Sequence, residues 1–315
     1  MAEKFKPLIT KYEPDYPQGK KIQVQLLNLR HIPAHIHKNC LEFIYCLKGN
    51  IYIEVAHERG IVKAGHLVTV DMDDVRNLTA DEDNITLIVH VSLEDTVYPL
   101  EFMQNTLFSC ATSYAKVDQT ADIRKVYNLL LSAASITNPA DLENLRHNIV
   151  ELLVTRFSWF SVVGTFGRND EQYRERLAKI AGFVMNHCRE KISQARMASE
   201  LYLSQTYLSH FFKRTTFKSY TDMVNYFRCL YAQKYLLETD KRITEISTLC
   251  GFSSDKYFYK HFKEVFGFTP LQYRKHFQRY AKSPQSFTEY TGKDREDLLN
   301  VYIQKRFIDD ALSTI

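Results

Sequence analysis

At 315 residues, 45% hydrophobic and 25% charged, the chain is long enough for about two globular domains and too apolar to be disordered. Residues Met1 to Pro7 alternate charge with apolar side chains and lack the apolar core of a signal peptide, and no stretch approaches the ~20 apolar residues of a membrane span, so a cytoplasmic protein with no membrane partner is expected. The net charge of +4 is unevenly spread, because residues 174–282 carry 20 Lys/Arg against 9 Asp/Glu, +11, leaving −7 elsewhere; a basic module on an acidic one suits a phosphate-bearing partner.

From 22 to 93 the chain reads as short strands, Ile22–Leu26, Glu42–Leu47, Asn50–Val55, Leu67–Val70 and Ile85–Val91, rich in β-branched and aromatic residues and separated by turns such as Lys48-Gly49-Asn50 and Ala64-Gly65-His66. Many short strands with tight turns predict a small antiparallel barrel. Within it, His35, His37, Glu42 and Gly49 form an H-x-H-x4-E-x6-G pattern, and residues two apart on a strand share a face. This pattern resembles the first motif of the cupin superfamily, which implies Fe, Mn or Zn ligation by His35, His37 and Glu42. At the place where the resemblance implies a last histidine, the chain has Arg76. A guanidinium beside a metal is unfavourable, whereas opposite Glu42 or an anionic ligand it is favourable. No cofactor is therefore expected. A metal site, a metal-free effector pocket and a structural polar cluster remain as readings, with the metal the least favoured. The pocket reading names His35, His37, Glu42, Tyr45, Tyr52, Arg76 and His90 as lining.

Past 100 the apolar period changes to that of amphipathic helices over 121–135 and 141–160, divided at Asn138-Pro139 with Asp141 as the expected N-cap. Such a pair serves either self-association or packing on its own barrel. The glycines of 164–170 mark a linker. Cys40, Cys46, Cys110, Cys188, Cys229 and Cys250 include no C-x-x-C pair and read as reduced structural thiols.

Ser204-Gln-Thr-Tyr-Leu-Ser-His-Phe-Phe-Lys213 recurs as Ser254-Asp-Lys-Tyr-Phe-Tyr-Lys-His-Phe-Lys263. Each copy opens on a serine suited to an N-cap and places Leu208/Phe258 and Phe212/Phe262 on one buried face. Short apolar-striped helices, Ile192–Tyr202 and Ile243–Cys250, precede them across brief turns, which is the helix-turn-helix arrangement. Residues 219–239 form a helical spacer between the two units. Major-groove segments recur every ~34 Å on one face of B-DNA, so one monomer holding two such helices would read an asymmetric site.

Segment 177–276 resembles the DNA-binding domain of the AraC/XylS family, through Leu203-Ser204, Tyr207-Leu208-Ser209, Phe212-Lys213, Arg228, Ala232, Leu236-Leu237, Ile243, Glu245-Ile246, Gly251-Phe252, Tyr257-Phe258, Phe262-Lys263, Gly267-Phe268-Thr269-Pro270 and Tyr273-Arg274. Phe217 departs from it, standing where the first unit would have the glycine that Gly267 supplies in the second. Outward positions of the two recognition helices are Gln205, Thr206, Ser209, His210 and Lys213, and Asp255, Lys256, Tyr259, Lys260 and Lys263. The resemblance implies base-edge approach by Thr206, Ser209, His210, Lys256 and Lys260, and phosphate contact by Lys213, Arg214, Tyr257 and Lys263. It also implies a small-molecule effector, RNA polymerase as partner and activation of transcription. A homodimer through the N-terminal domain is expected. No complete ligand set or nucleophile–base pair is visible, so no enzymatic activity is expected; a cupin-type enzyme and a constitutive DNA-binding protein whose barrel only dimerises are the alternatives.

The fold expected is α+β: a cupin-like ligand-sensing and dimerisation domain of antiparallel barrel and helical pair over 1–163, a linker over 164–173, an all-α domain with two helix-turn-helix units over 174–281, and a helical extension over 282–315 docked on another part of the chain.

Overall fold

The structure, a computed structural model, describes residues 9–12, 20–56, 58–98, 121–158, 171–213, 219–281 and 283–312, with Pro14, Tyr16, Leu100, Met103, Thr106 and Phe108. It divides into two compact units, Lys11–Ser158 with Lys282–Ile315, and Met1–Thr10 with Trp159–Ala281.

The first unit is built on nine strands: β1 (Thr10–Tyr12), β2 (Ile22–His37), β3 (Cys40–Lys48), β4 (Asn50–Val55), β5 (Glu58–Lys63), β6 (Leu67–Val70), β7 (Arg76–Thr79), β8 (Ile85–Ser92) and β9 (Ser286–Glu289). They form one sheet in the order β5-β4-β7-β2-β8-β3-β6, with β1 and β9 also on β2, curled into a nearly closed antiparallel barrel. Parity along each strand sorts the side chains, because successive residues point to opposite faces. On β3, Leu41, Phe43, Tyr45 and Leu47 face outward into a core with the helices, while Ile44 and Cys46 join the barrel interior with Leu27, Leu29, Ile51, Ile53, Val68 and Ile88.

Helices α1 (Ala121–Ser135) and α2 (Pro139–Leu152) spend their apolar stripes on that outer core, through Ile123, Val126, Tyr127, Leu130 and Leu131 and through Leu142, Leu145 and Ile149. Asp141 does not cap α2. Asn138 does, accepting from the Ala140 N–H ahead of Pro139 at the helix start, where a missing proline N–H costs nothing. The helical stripe expected to run on to 160 ends at Leu152 and gives way to a π-helical turn, Leu153–Phe157.

Strands β5, β7 and β9 escape a sequence reading, being short and carrying charge, Asn or a single aromatic. The segment from 282 is no separate extension. Its β9 pairs with Leu27–Leu29 of β2, on the edge that β7 occupies further along at His31–His35, while β8 holds the opposite edge at Ile22–Leu27. Helix α10 (Gly292–Leu312) follows, burying Leu299 in the outer core, with Leu298, Tyr302 and Ile303 packed against it.

The second unit contains α3 (Glu171–His187), α4 (Gln194–Glu200), α5 (Gln205–Lys213), α6 (Tyr220–Glu238), α7 (Ile243–Leu249), α8 (Asp255–Phe266) and α9 (Pro270–Tyr280). Residues 171–173, expected in the linker, belong to α3; residues 164–170 lie outside the described ones. Cys40, Cys46, Cys188, Cys229 and Cys250 are free and buried. Burial pushes the Cys40, Cys46 and Cys250 thiols up to about 12 and Cys188 to about 11, which leaves them protonated and unreactive. Cys110 lies outside the described residues.

Candidate functional site

The two repeats are wired alike at the recognition-helix N-caps and at the turns that precede them. Ser204 Oγ accepts from the Tyr207 N–H and Ser254 Oγ from the Tyr257 N–H, the N-cap bonds that start α5 and α8. Between the helices of each unit the backbone closes a Schellman pair. In the first, the N–H groups of Tyr202 and Leu203 donate to the carbonyls of Ser199 and Ala198; in the second, those of Gly251 and Phe252 donate to Thr248 and Ser247. The left-handed residue of the pair is Gly251 (φ 80°) in one unit and Tyr202 (φ 54°) in the other.

Arg228 and Arg274 lock these units to the preceding helices. Arg228, on α6, donates from Nε to the Cys188 carbonyl (2.6 Å) and from Nη2 to the Glu190 carbonyl (3.1 Å). Arg274, on α9, does the same for Leu236 (3.0 Å) and Lys241 (2.9 Å). Each guanidinium fork satisfies carbonyls left open where a helix ends.

Packing then decides which faces are free. Leu208, Phe211 and Phe212 of α5 and Phe258, Phe262 and Phe266 of α8 are buried. Gln205, Thr206, Ser209, His210 and Lys213 are exposed, as are Asp255, Lys256, Tyr257, Tyr259, Lys260 and Lys263. Ser209 is already engaged, its hydroxyl donating to the Gln205 carbonyl (3.0 Å) and accepting from Gln194 Nε2 (3.1 Å). Arg214 and Phe217 lie outside the described residues.

In the barrel, Glu42 is the hub of a buried polar cluster. Arg76 Nε donates to its Oε2 at 2.8 Å, His90 Nε2 lies 3.0 Å and His37 Nε2 3.7 Å from its Oε1. Burial alone would raise the carboxyl, but Arg76 and the imidazoles outweigh it and hold Glu42 well below the usual range. Burial, reinforced by Arg76, pushes His35 down to about 3 and His37 to about 4, so both rings are neutral near pH 7. Arg76 Nη2 and His90 Nδ1 are buried without a hydrogen-bond partner.

His35, His37, Glu42 and His90 line a cavity of about 210 Å³ together with Gln23, Gln25 and Leu27 of β2 and Ile88 of β8. Tyr45, Tyr52 and Arg76 are not part of its lining, which Arg76 meets through Glu42. Tyr45 has the opposite parity to Glu42 and packs on Tyr127, ring centroids 4.7 Å apart, and Tyr52 is 42% exposed on the outer face of β4. Gln285 and Phe287, from the C-terminal segment, complete the lining; the only sequence signal for them is one aromatic in a four-residue strand.

His35, His37 and Glu42 bring one ligand atom each to within 4.8 Å of one another. The set nevertheless does not fit a metal ion, because a guanidinium occupies one carboxylate oxygen and an imidazole the other.

Residues 197–276 match a family described as a helix-turn-helix domain. Over 77 residues the chain is 42% identical to the porin thermoregulatory protein EnvY of Escherichia coli (strain K12), covering 24% of this chain and 30% of EnvY. Over 283 residues it is 23% identical to an uncharacterized HTH-type transcriptional regulator of Staphylococcus aureus (strain COL), covering 86% of this chain and 37% of that protein. The chain thus spans about a third of the length of these curated relatives. Among solved structures, ToxT from Vibrio cholerae O395 aligns over 84% of this chain and 99% of its own at 12% identity with a TM-score of 0.42. The DNA-binding domain of AdpA, in complex with a target DNA, aligns over 34% of this chain and 97% of its own at 26% identity with a TM-score of 0.31. With its two matching helix-turn-helix units, segment 197–276 is a helix-turn-helix domain of the AraC type.

Proposed function

We propose that this chain is a sequence-specific transcription regulator that lays α5 and α8 in successive major grooves and responds to a small molecule held in its barrel. The observation that carries the reading is the division of each recognition helix into a buried aromatic face and an exposed polar one, within a segment of net charge +11. Lys256 and Lys260 are the base readers of the second unit, and Lys213, Tyr257 and Lys263 hold phosphates; Thr206 and His210 are the readers of the first.

A cavity in the first unit lined by His35, His37, Glu42 and His90 among apolar side chains supports effector binding, and the misfit of a metal supports regulation over cupin-type catalysis. The reading extends to a cytoplasmic homodimer joined through the barrel unit and to activation by engagement of RNA polymerase. Among the described residues no helix is long and apolar enough to cross a membrane.

The test is binding of the full chain to double-stranded fragments from upstream of its own gene, followed across salt. Affinity that falls steeply with salt, with one protected site spanning two adjacent turns, is expected. No salt-sensitive affinity for any genomic fragment would falsify DNA recognition, and sedimentation at micromolar concentration checks the dimer.

A further inference from the structure

The wall of the barrel cavity includes Gln285 and Phe287, which lie in the chain after the whole DNA-reading unit. Phe287 stands opposite Leu29 on β2, and directly opposed residues of an antiparallel pair point to the same face, so its ring joins Leu29 on the interior side. Around the strand, the Tyr290 N–H donates to the Leu26 carbonyl at 2.8 Å and Arg295 Nη2 to the Ala134 carbonyl at 3.2 Å. These bonds and the β9–β2 pairing seat the segment, and they bring Gln285 and the Phe287 ring to the cavity wall.

The chemistry of the cavity selects that occupant. Glu42 and Arg76 neutralise each other, and the remaining polar lining is the amides of Gln23 and Gln25 and the imidazoles of His35, His37 and His90. Among the described residues that line it there is no lysine or arginine to balance an anionic ligand, and burying an unbalanced charge there is costly. Amides and imidazoles are two-way hydrogen-bonding groups, and Ile88, Leu27 and Phe287 supply an apolar floor.

We infer that the barrel holds an uncharged, hydroxyl- or amide-bearing small molecule, and that β9 closes over it through Gln285 and Phe287 as a strand whose docking the occupant stabilises. This rests on the effector reading above. Because residues 281–285 alone separate β9 from α9, the last helix of the DNA-reading unit, β9 is the shorter covalent route from the cavity to that unit.

The experiment uses the full chain with a panel of uncharged monosaccharides and polyols, with octanoate as the monoanionic control, read by thermal shift, calorimetric titration and hydrogen exchange. At least one uncharged probe is expected to raise the melting midpoint and to slow exchange at Thr288 and Tyr290. Phe287→Ala and Gln285→Ala should each weaken that probe at least tenfold, whereas Val301→Ala, at an exposed site on α10, should not. Gln285 precedes β9 and is exposed, so its variant keeps the comparison sound if Phe287→Ala loosens the fold. A probe that binds both variants as tightly as the parent overturns the β9 wall. Binding of octanoate alone overturns the ligand class. Silence of every probe of either charge refutes the effector reading itself, and with it the composite site.

Discussion

Arg228 and Arg274 do the same work in the two units from positions that differ by about one helical turn in the repeat, each fork spanning two carbonyls at the end of a preceding helix. Charge-assisted bonds of this kind contribute roughly 1.5–3 kcal/mol. Arg274→Ala is therefore expected to lower stability by about that amount in urea unfolding, and Arg274→Lys to recover little of it, since an ammonium cannot hold both carbonyls in a fixed fork. Full rescue by lysine would mean that charge alone matters. Glycine matters at one turn more than at its counterpart. A Cβ on Gly251 would lie 2.5 Å from the Arg189 carbonyl oxygen, so Gly251→Ala should cost on the order of 1–3 kcal/mol from strain and overlap. Tyr202, left-handed but 97% exposed, has room, and Tyr202→Gly should relieve up to ~1 kcal/mol.

The buried histidines give the barrel an acid-sensitive interior. An unfolded chain protonates His35 and His37 near their ordinary 6.5, whereas the folded chain resists until about 3 and about 4. Between those limits the unfolded state binds more protons, so stability falls as pH drops below about 6.5. Glu42 acts in the same direction below its ordinary 4.5, its folded value being lower still. Urea midpoints followed from pH 7 to 4 should decline steadily, and His37→Gln should flatten the slope; a level profile in the parent would contradict the neutral buried rings.

At the scale of elements, the recognition helices were legible because two constraints coincide on them: a serine N-cap and a large apolar pair one turn apart. That periodicity alone divides α8 into its buried Phe258, Phe262 and Phe266 and its exposed lysines. Under the proposed DNA reading, Lys260→Ala should weaken specific sites by ~1–3 kcal/mol and scrambled DNA less, in anisotropy titrations at one salt concentration. Equal losses on both would assign Lys260 to phosphate. Ser209→Ala should change specificity little, since its hydroxyl is held by Gln194 and Gln205, a restraint that no spacing in the sequence announces. In the barrel, strand existence was readable but side-chain parity across β3 and β4 was not. Tyr45 and Tyr52 therefore sit outside a cavity that their chemistry suits.

For the molecule as a whole, the polypeptide leaves the barrel unit at Ser158 and rejoins it at Lys282. Removing residues after Lys282 would bare the β2 edge at Leu27–Leu29 and strip Leu299 from the outer core. Open edges invite strand addition from other chains, and one buried leucine is worth ~1.5–3 kcal/mol. The shortened chain should melt lower and aggregate on light scattering, while an unchanged melting curve would make the segment dispensable.

Local pattern by itself determined the repeat, the serine caps of its two recognition helices, the helix faces and the barrel class, because each depends on residues within a few positions of one another. It also named Glu42 and an anionic ligand as the two partners that suit Arg76, between which the structure places Arg76 on Glu42. Only the tertiary structure decided where β9 and α10 return, that Tyr45 and Tyr52 stay off the cavity and that Gln285 and Phe287 line it. Those outcomes depend on pairing between Leu29 and Phe287, far apart in the chain, where no short-range period carries the information.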